Sequence, residues 1–449
     1  MRLRRLAAIG AIAALAGTAL VSCSSADPES AGNVIPELSD DQQVEIVFES
    51  YNLIQAGPWT DTVNQLLEEF AEAHPNIKVT AQPPQGGTVN DINSSVQAQI
   101  LAGSAPDVVQ LGFNAEFAAT NFAAKAFNDI AGDEGLEEHF GGEHPYHERA
   151  RVLGDVDGKT YGMPYVFSTP MLFINKTMLT EAGVPADADL STWDKVQEAA
   201  AKVTAMTGKP SVDIACFYPS GEWCLQALVF SNGGDVLSED RKTIEFGEAG
   251  AVGAVQRFAD MYEAGVLRNA DASAHNEGLA KGDVAFLLQS AAVQGGLMQA
   301  AEAGGWELTA VALPGFDGEG ESVPVNSGSA LYVLSDDEAK QRAAWELVSF
   351  LTSDRAYELI TSNIGYLPLR VSLTEEGGAL YDWAEQNAVV VRPNLAQLDR
   401  LEPWKFFPGN SYSQVSQLFT TATEEVVYYG KPAEETMATA AERSQELIG

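Results

Sequence analysis

Apolar and polar positions follow two rhythms along this chain. The run VEIVF at residues 44–48 is short, apolar and β-branched, and reads as a strand. Residues 61–74 place Val63, Leu66, Leu67 and Phe70 at helical spacing, and Pro75 ends the pattern. Residues 77–81 predict a second strand, 92–101 an amphipathic helix closed by Gly103, and 106–111 a buried strand. Strand, helix, strand, helix, strand is the doubly wound order of an α/β domain. Ligands in such folds sit beyond the carboxyl ends of the strands. That places the loops 49–52 and 112–116 at a cleft, with Tyr51 and Asn114 as positional candidates.

The middle of the chain carries its most informative stretch, YGMPYVFSTPMLFINKTML at residues 161–179. Asp157-Gly158 before it is a turn pair that predicts a tight hairpin. Pro164 interrupts pairing, the apolar run 171–174 reads as a buried strand, and a short helix over 177–182 stops at Gly183. Residues 165–167 then read as a crossing between two domains, with Ser168 at the mouth of a cleft. This stretch resembles the first hinge of the extracellular solute-binding proteins that serve ABC importers of sugars and glycerol phosphates. The motifs NIGYLPLR (363–370) and GKPAEETMATAAER (430–443) resemble the glycerol-3-phosphate-binding branch of that family and its sugar-binding relatives.

The resemblance implies a two-lobed periplasmic-binding-protein fold of α/β class, with discontinuous lobes joined by a multi-strand hinge. Residues 44–165 with 314–368 are expected to form one lobe, and 166–313 with 369–449 the other. The crossings fall at residues 165–167, 314–315 and 365–368. Matching motifs imply ligand-binding roles for Ser168, Trp223, Ser290, Gly328 and Tyr366. Trp223 and Tyr366 are expected to clasp the ligand from opposite sides. A family arginine that grips phosphate has no clear counterpart in PWKFFPGN (403–410). Lys405 lies near its place, without the bidentate fork, and Trp404 is a further cleft candidate. A neutral sugar or polyol is therefore favoured over a phosphate ligand.

The rest of the chain continues the same alternation. A helix begins at Ser191-Thr192-Trp193, an apolar helix covers 225–230, and strands are expected over 283–288, 308–313 and 328–334. The helix over 336–351 turns Ala344, Trp345, Leu347, Val348 and Leu351 inward, and the end of the chain is helical.

Composition changes this picture at the ends and little in the middle. The chain has 449 residues, 45% hydrophobic and 20% charged, enough for two or three domains. Arg2, Arg4 and Arg5 precede a short apolar stretch at 6–20, so residues 1–22 read as a secretory signal. Leu20-Val21-Ser22-Cys23 resembles a lipobox, which implies that Cys23 carries a lipid anchor on the outer face of the cell membrane. The alternative is an ordinary cleaved signal. Residues 23–43 are rich in Ser, Ala, Asp, Pro and Glu and read as a flexible tether. Cys216 and Cys224 are then a pair in an exported protein, which an oxidising compartment favours as a disulfide over two buried thiols.

A net charge of −37 excludes nucleic acid as a partner, since phosphate neutralisation needs clustered Lys and Arg. Hydrolase, zincin and dinucleotide motifs are absent from the sequence, and no cofactor is expected. With 63 acidic residues, a chance carboxylate pair is weak ground for a secreted glycoside hydrolase, the alternative from another class. His139, His144 and His147 lie in an acidic segment that reads as solvated surface rather than a metal site. The expected protein is a monomeric receptor that is not an enzyme. It passes a carbohydrate or polyol, or alternatively a glycerol-3-phosphate or glycerophosphodiester, to an ABC permease.

Overall fold

The computed structural model describes residues 34–449 except residues 55, 88–91, 319 and 410. The expected signal segment and Cys23 lie outside the described residues. Among the described residues, no helix is long and apolar enough to cross a membrane.

Eleven strands are described: β1 (Val44–Glu49), β2 (Ile77–Gln82), β3 (Val108–Leu111), β4 (Asp155–Val156), β5 (Lys159–Thr160), β6 (Met163–Ser168), β7 (Pro170–Asn175), β8 (Val212–Ile214), β9 (Phe286–Ser290), β10 (Leu308–Ala312) and β11 (Ser327–Val333). They form two main sheets, ordered β2-β1-β3-β11-β6 and β10-β7-β9-β8, and the small hairpin β4-β5. In the first sheet β1 is parallel to β2 and β3, while β11 runs antiparallel to β3 and β6. In the second, β8 is parallel to β9 and β7 is antiparallel to both β9 and β10. The hairpin turns on Asp157 and Gly158, with φ of 49° and 78°. Those positive angles are what a two-residue primed turn requires.

Each sheet organises its own core. Phe48, Val109, Tyr332 and Val348 belong to the first, which the helices Pro58–Ala73 and Glu338–Leu351 cover. Ala344, Trp345, Leu347, Val348 and Leu351 are buried along one stripe of the latter helix. Every residue of β7 is buried, because its two faces serve different layers. Leu172 and Ile174 pack in the second core, and Met171 and Phe173 pack on the opposite face with Leu287 and Ala310. A sheet covered on both faces turns period-two alternation into a continuous apolar run.

The crossings lie further along the chain than expected. Phe167 still packs in the first core and Ser168 pairs with Ser327, so the first crossing is at Thr169. Phe316 and Val325 remain in the second core, and Gly315 donates to Ser191, which moves the second crossing from 314–315 to about Asn326. Leu369, Leu373 and Leu380 pack in the first core, so residues 365–368 are not the third crossing. Partners distant in sequence set these positions: strand pairing at the first, and packing into one core or the other at the second and third. The tether is also shorter than 23–43. Ile35 is buried in the first core and its N–H donates to the Ile130 carbonyl at 3.1 Å.

Candidate functional site

Where the first sheet ends toward the second lobe, uncharged polar side chains are buried in a connected group. Ser50 follows β1, and its hydroxyl accepts the Asn52 N–H at 3.1 Å, capping the short turn Tyr51–Leu53. The same hydroxyl donates to Gln110 Oε1 at 2.5 Å, and Gln110 Nε2 donates to Ser329 Oγ at 2.8 Å. Burial pushes the Tyr51 phenol up to about 12, against the influence of the neighbouring Ser329, Tyr366 and Gln110 side chains. Burial also holds the Tyr366 phenol well above its ordinary range, with Tyr51 adding to the effect. Both phenols are therefore neutral hydrogen-bonding groups at physiological pH. The Tyr366 ring lies 5.6 Å from that of Trp59.

Beside this group, Glu49 is fully buried at the end of β1. It accepts from Ser95 Oγ at 2.7 Å, Gln82 Nε2 at 2.7 Å and Gln99 Nε2 at 2.5 Å. Three donors satisfy its lone pairs, which is how a buried carboxylate is tolerated.

At the crossing, Ser290 Oγ donates to Ser168 Oγ at 2.8 Å, joining the end of β9 to the end of β6. Gln397 ties two chain connections together. Its Nε2 donates to Thr169 Oγ1 at 2.9 Å and to the Pro170 carbonyl at 3.1 Å, while its Oε1 accepts the Leu313 N–H at 3.1 Å.

The second lobe contributes a tryptophan held from below. The helix Glu222–Ser231 starts with Glu222, buried and 3% exposed. Trp404 Nε1 donates to Glu222 Oε2 at 2.9 Å, and the Trp404 N–H donates to Asn326 Oδ1 at 2.8 Å. Gln226 also donates to Glu222, and it clamps the Lys405 backbone through N–H and carbonyl bonds of 3.0 and 2.8 Å. Burial pushes the Glu222 carboxyl up to about 7, against the hydrogen bonds from Gln226, Trp404 and Ser416. Trp404 lies over Phe406 at 4.2 Å and is packed against both main cores.

The lobes touch across the opening. Asn93 Nδ2 donates to the Tyr412 hydroxyl at 3.0 Å, and Phe117 meets the Tyr412 ring edge-on at 5.6 Å. Arg241 pairs with Glu116 at 2.9 Å and donates to the Phe406 carbonyl at 3.1 Å.

The structure thus brings Tyr51, Tyr366, Ser168, Ser290 and Trp404 to the junction of the lobes. Asn114 spends its side chain locally, accepting the Phe117 N–H as a helix cap. Gly328 is a strand residue, not a cleft-loop residue. It pairs with Phe167 at φ 120°, and a Cβ there would lie 1.9 Å from the Val166 carbonyl oxygen. Close backbone approach explains that glycine. Trp223 packs within the second core at 6% exposure, whereas Trp404 packs against both main cores. The Lys405 ammonium is paired with Asp235 and donates to the Leu237 carbonyl at 3.1 Å, so it is already committed. Cys216 and Cys224 form a disulfide beside Glu222.

The three histidines take separate partners: His139 with Thr352, His144 with Ser372 and His147 beside Asp399. Burial, aided by the Arg370 charge, pushes His139 down to about 3. Sequence reading passed over Gln110, Glu222, Gln226, Ser329 and Gln397. Their only local signal is polarity within apolar surroundings, as in VVQL and EWCLQALVF.

The model for bacterial extracellular solute-binding proteins matches residues 65–389. The sn-glycerol-3-phosphate-binding periplasmic protein UgpB of Brucella melitensis is 25% identical over 383 residues, spanning 82% of this chain and 85% of its own. The structure of UgpB from Mycobacterium tuberculosis in complex with glycerophosphocholine superimposes with a TM-score of 0.77 at 18% identity, covering 90% of this chain and 98% of that one. The cyclic alpha-maltosyl-1,6-maltose binding protein from Arthrobacter globiformis gives 0.75 at 20% identity, covering 90% and 99%. The superpositions show a shared fold, and the match over residues 65–389 places the chain in the bacterial extracellular solute-binding protein family.

Proposed function

We propose that this protein is the receptor of an ABC importer and captures an uncharged carbohydrate or polyol between its lobes. The observation that carries this is the chemistry of the junction. Neutral hydroxyls and amides from Tyr51, Gln110, Ser329, Tyr366, Ser168 and Ser290 gather there. Trp404 presents an aromatic ring braced by Glu222 and Asn326. A sugar needs both features: hydroxyl and amide partners for its hydroxyls, and a ring face for its C–H surface.

A second reading, a glycerol-3-phosphate or glycerophosphodiester ligand, draws on the named function of the UgpB relatives. The commitment of Lys405 to Asp235 and of Arg241 to Glu116 weighs against it, because a phosphate needs a cation to spare. Tyr51, Ser168, Ser290, Tyr366 and Trp404 are the ligand-contacting residues in this proposal, which assigns Trp223 to the core. The protein does not turn its ligand over, acts as a monomer and is held to the outer face of the membrane through a lipid on Cys23.

A thermal-shift screen of sugars, polyols, glycerol 3-phosphate and glycerophosphocholine tests the ligand class, since a ligand bound only by the folded state raises Tm. Sugars or polyols alone should shift it. A shift confined to the phosphates would overturn the carbohydrate reading in favour of the second. Release of chromophore from nitrophenyl glycosides would contradict a pure receptor.

A further inference from the structure

The strand β6, which leads into the first crossing, carries an irregularity with a local cause. Met163 and Pro164 pair with Leu331 and Ala330, but Val166 is already opposite Ser329, so Tyr165 is an extra residue. Pro164 has no N–H to give the ladder, and proline in a sheet is confined to edge strands and bulges. Both conditions hold here, since β6 is the edge of its sheet. The Tyr146 and Tyr357 hydroxyls, 3.0 Å apart, each lie 3.2 Å from the Pro164 carbonyl oxygen and hold the bulge. The extra residue sets the face of everything after it. With it, Ser168 lies opposite Ser327 and shares the face of Ser329. In an unbroken ladder Phe167 would lie there, and Ser168 would face the other way.

A bulge also re-aims its own side chain. Tyr165 is fully buried, and its phenol, held above the ordinary range by burial, is influenced by Tyr51 and Asn52. It is therefore a neutral hydroxyl at physiological pH. That hydroxyl makes no hydrogen bond among the described residues, and neither end of the Asn52 carboxamide makes one. Asn52 is 1% exposed. Its backbone is committed, with the N–H on Ser50 at 3.1 Å and the carbonyl accepting from Thr60 at 2.9 Å. Its side chain is the part left to commit. One of these two buried groups stands on the Tyr51–Leu53 turn and the other on the strand that enters the hinge, and burial of both without a partner calls for one.

We propose that Tyr165 is a positioning residue: when ligand engages Tyr51, the Tyr165 hydroxyl donates to the Asn52 carboxamide oxygen and ties the Tyr51–Leu53 turn to β6. Tyr165 does not itself touch ligand. The inference rests on the reading above that Tyr51 is a ligand contact, and it adds the residue that joins that contact to the crossing.

The test is calorimetry on the intact mature protein with glucose, maltose, xylose, glycerol, glycerol 3-phosphate and glycerophosphocholine, repeated on variants with the tightest binder. Tyr165→Phe should weaken binding about three- to tenfold, the size expected of one neutral hydrogen bond. Asn52→Leu should weaken it too, and the double variant should bind no worse than Asn52→Leu alone, because both changes remove the same bond. In denaturant melts without ligand, Tyr165→Phe should be at least as stable as wild type, since the hydroxyl it removes is buried without a partner. Additive losses in the double variant, or destabilisation of ligand-free Tyr165→Phe, refute the positioning role. Tyr51→Phe separates this inference from the reading beneath it. If Tyr51→Phe weakens binding and Tyr165→Phe does not, the positioning role alone falls. If Tyr51→Phe leaves Kd unchanged, or nothing in the panel binds, the reading of the junction falls and the positioning role with it.

Discussion

Two tryptophans near the same helix illustrate how a side chain's neighbours set its role. Trp223 lies within the second core, so Trp223→Ala should cost about 3–5 kcal/mol of stability through lost burial and a residual cavity. Trp404 lies between the cores with its indole on Glu222, so Trp404→Ala should leave the fold intact and cost about 2 kcal/mol of binding, roughly thirtyfold. Chemical denaturation and calorimetry on both variants separate the two effects. Equal loss of affinity in the two variants without loss of stability in Trp223→Ala would return Trp223 to the site. Glu222 itself has a pH signature. Its carboxyl is raised from 4.5 to about 7 by burial, so the folded state holds a proton that the unfolded state releases. Its contribution is therefore full below about pH 4.5 and is lost as pH rises through about 7. At ~1.4 kcal/mol per unit, the loss approaches about 3 kcal/mol. Glu222→Gln should match wild type near pH 4.5 and exceed it in stability at pH 8, as read by denaturant melts. Parallel pH profiles for the two proteins would show that Glu222 is ionised throughout.

Elements were legible in the sequence wherever their cause is local. The 157–158 hairpin follows from two residues that accept positive φ, and the stripe around Trp345 follows from helical spacing. The crossings were displaced because they depend on partners far along the chain. Nothing near Ser168 announces that Ser327 will pair with it, and nothing near Asn326 announces that its amide will accept from Trp404. Candidate site residues divide in the same way. Ser168 and Tyr366 stand in motifs, whereas Gln110 and Gln397 matter only through contacts that sequence does not display. Gln397 is the element-scale case with a measurable consequence. It joins the Thr169–Pro170 crossing to Leu313, and it is fully buried. Gln397→Leu removes those bonds and leaves the Leu313 N–H without its acceptor, a loss of about 1–3 kcal/mol in denaturant melts. Unchanged stability would mean that the surrounding chain supplies another acceptor. The Cys216–Cys224 disulfide closes a short loop that contains Glu222. Cys216→Ser with Cys224→Ser should lower stability by about 2–3 kcal/mol through the freed unfolded chain, and denatured, unreduced wild type should expose no thiol from this pair.

At the scale of the whole molecule, a receptor of this kind binds by moving one lobe against the other, and contacts present only when the lobes meet act as part of the binding free energy. Asn93 with Tyr412, Phe117 with Tyr412, and Glu116 with Arg241 are such contacts, because each joins a helix or loop of the first lobe to the second across the opening. They differ in strength. The Arg241–Glu116 pair is half-exposed on both sides, with side-chain exposures of 42% and 55%, so solvent and salt screen it and its share is small. The Tyr412 hydroxyl bond is partly buried, and a neutral bond of that type contributes about 0.5–1.5 kcal/mol. Tyr412→Phe keeps the ring against Phe117 and removes only that bond. Binding of the sugar that the screen identifies should therefore weaken by about two- to tenfold, as read by calorimetry. The loss should appear in the dissociation rate, since the bond forms on closure and holds the ligand in. Arg241→Ala should change affinity by less than that, and the difference should vanish at high salt. A Tyr412→Phe protein that binds and releases ligand at wild-type rates would mean that the lobes close without this contact, and that the junction chemistry alone sets affinity.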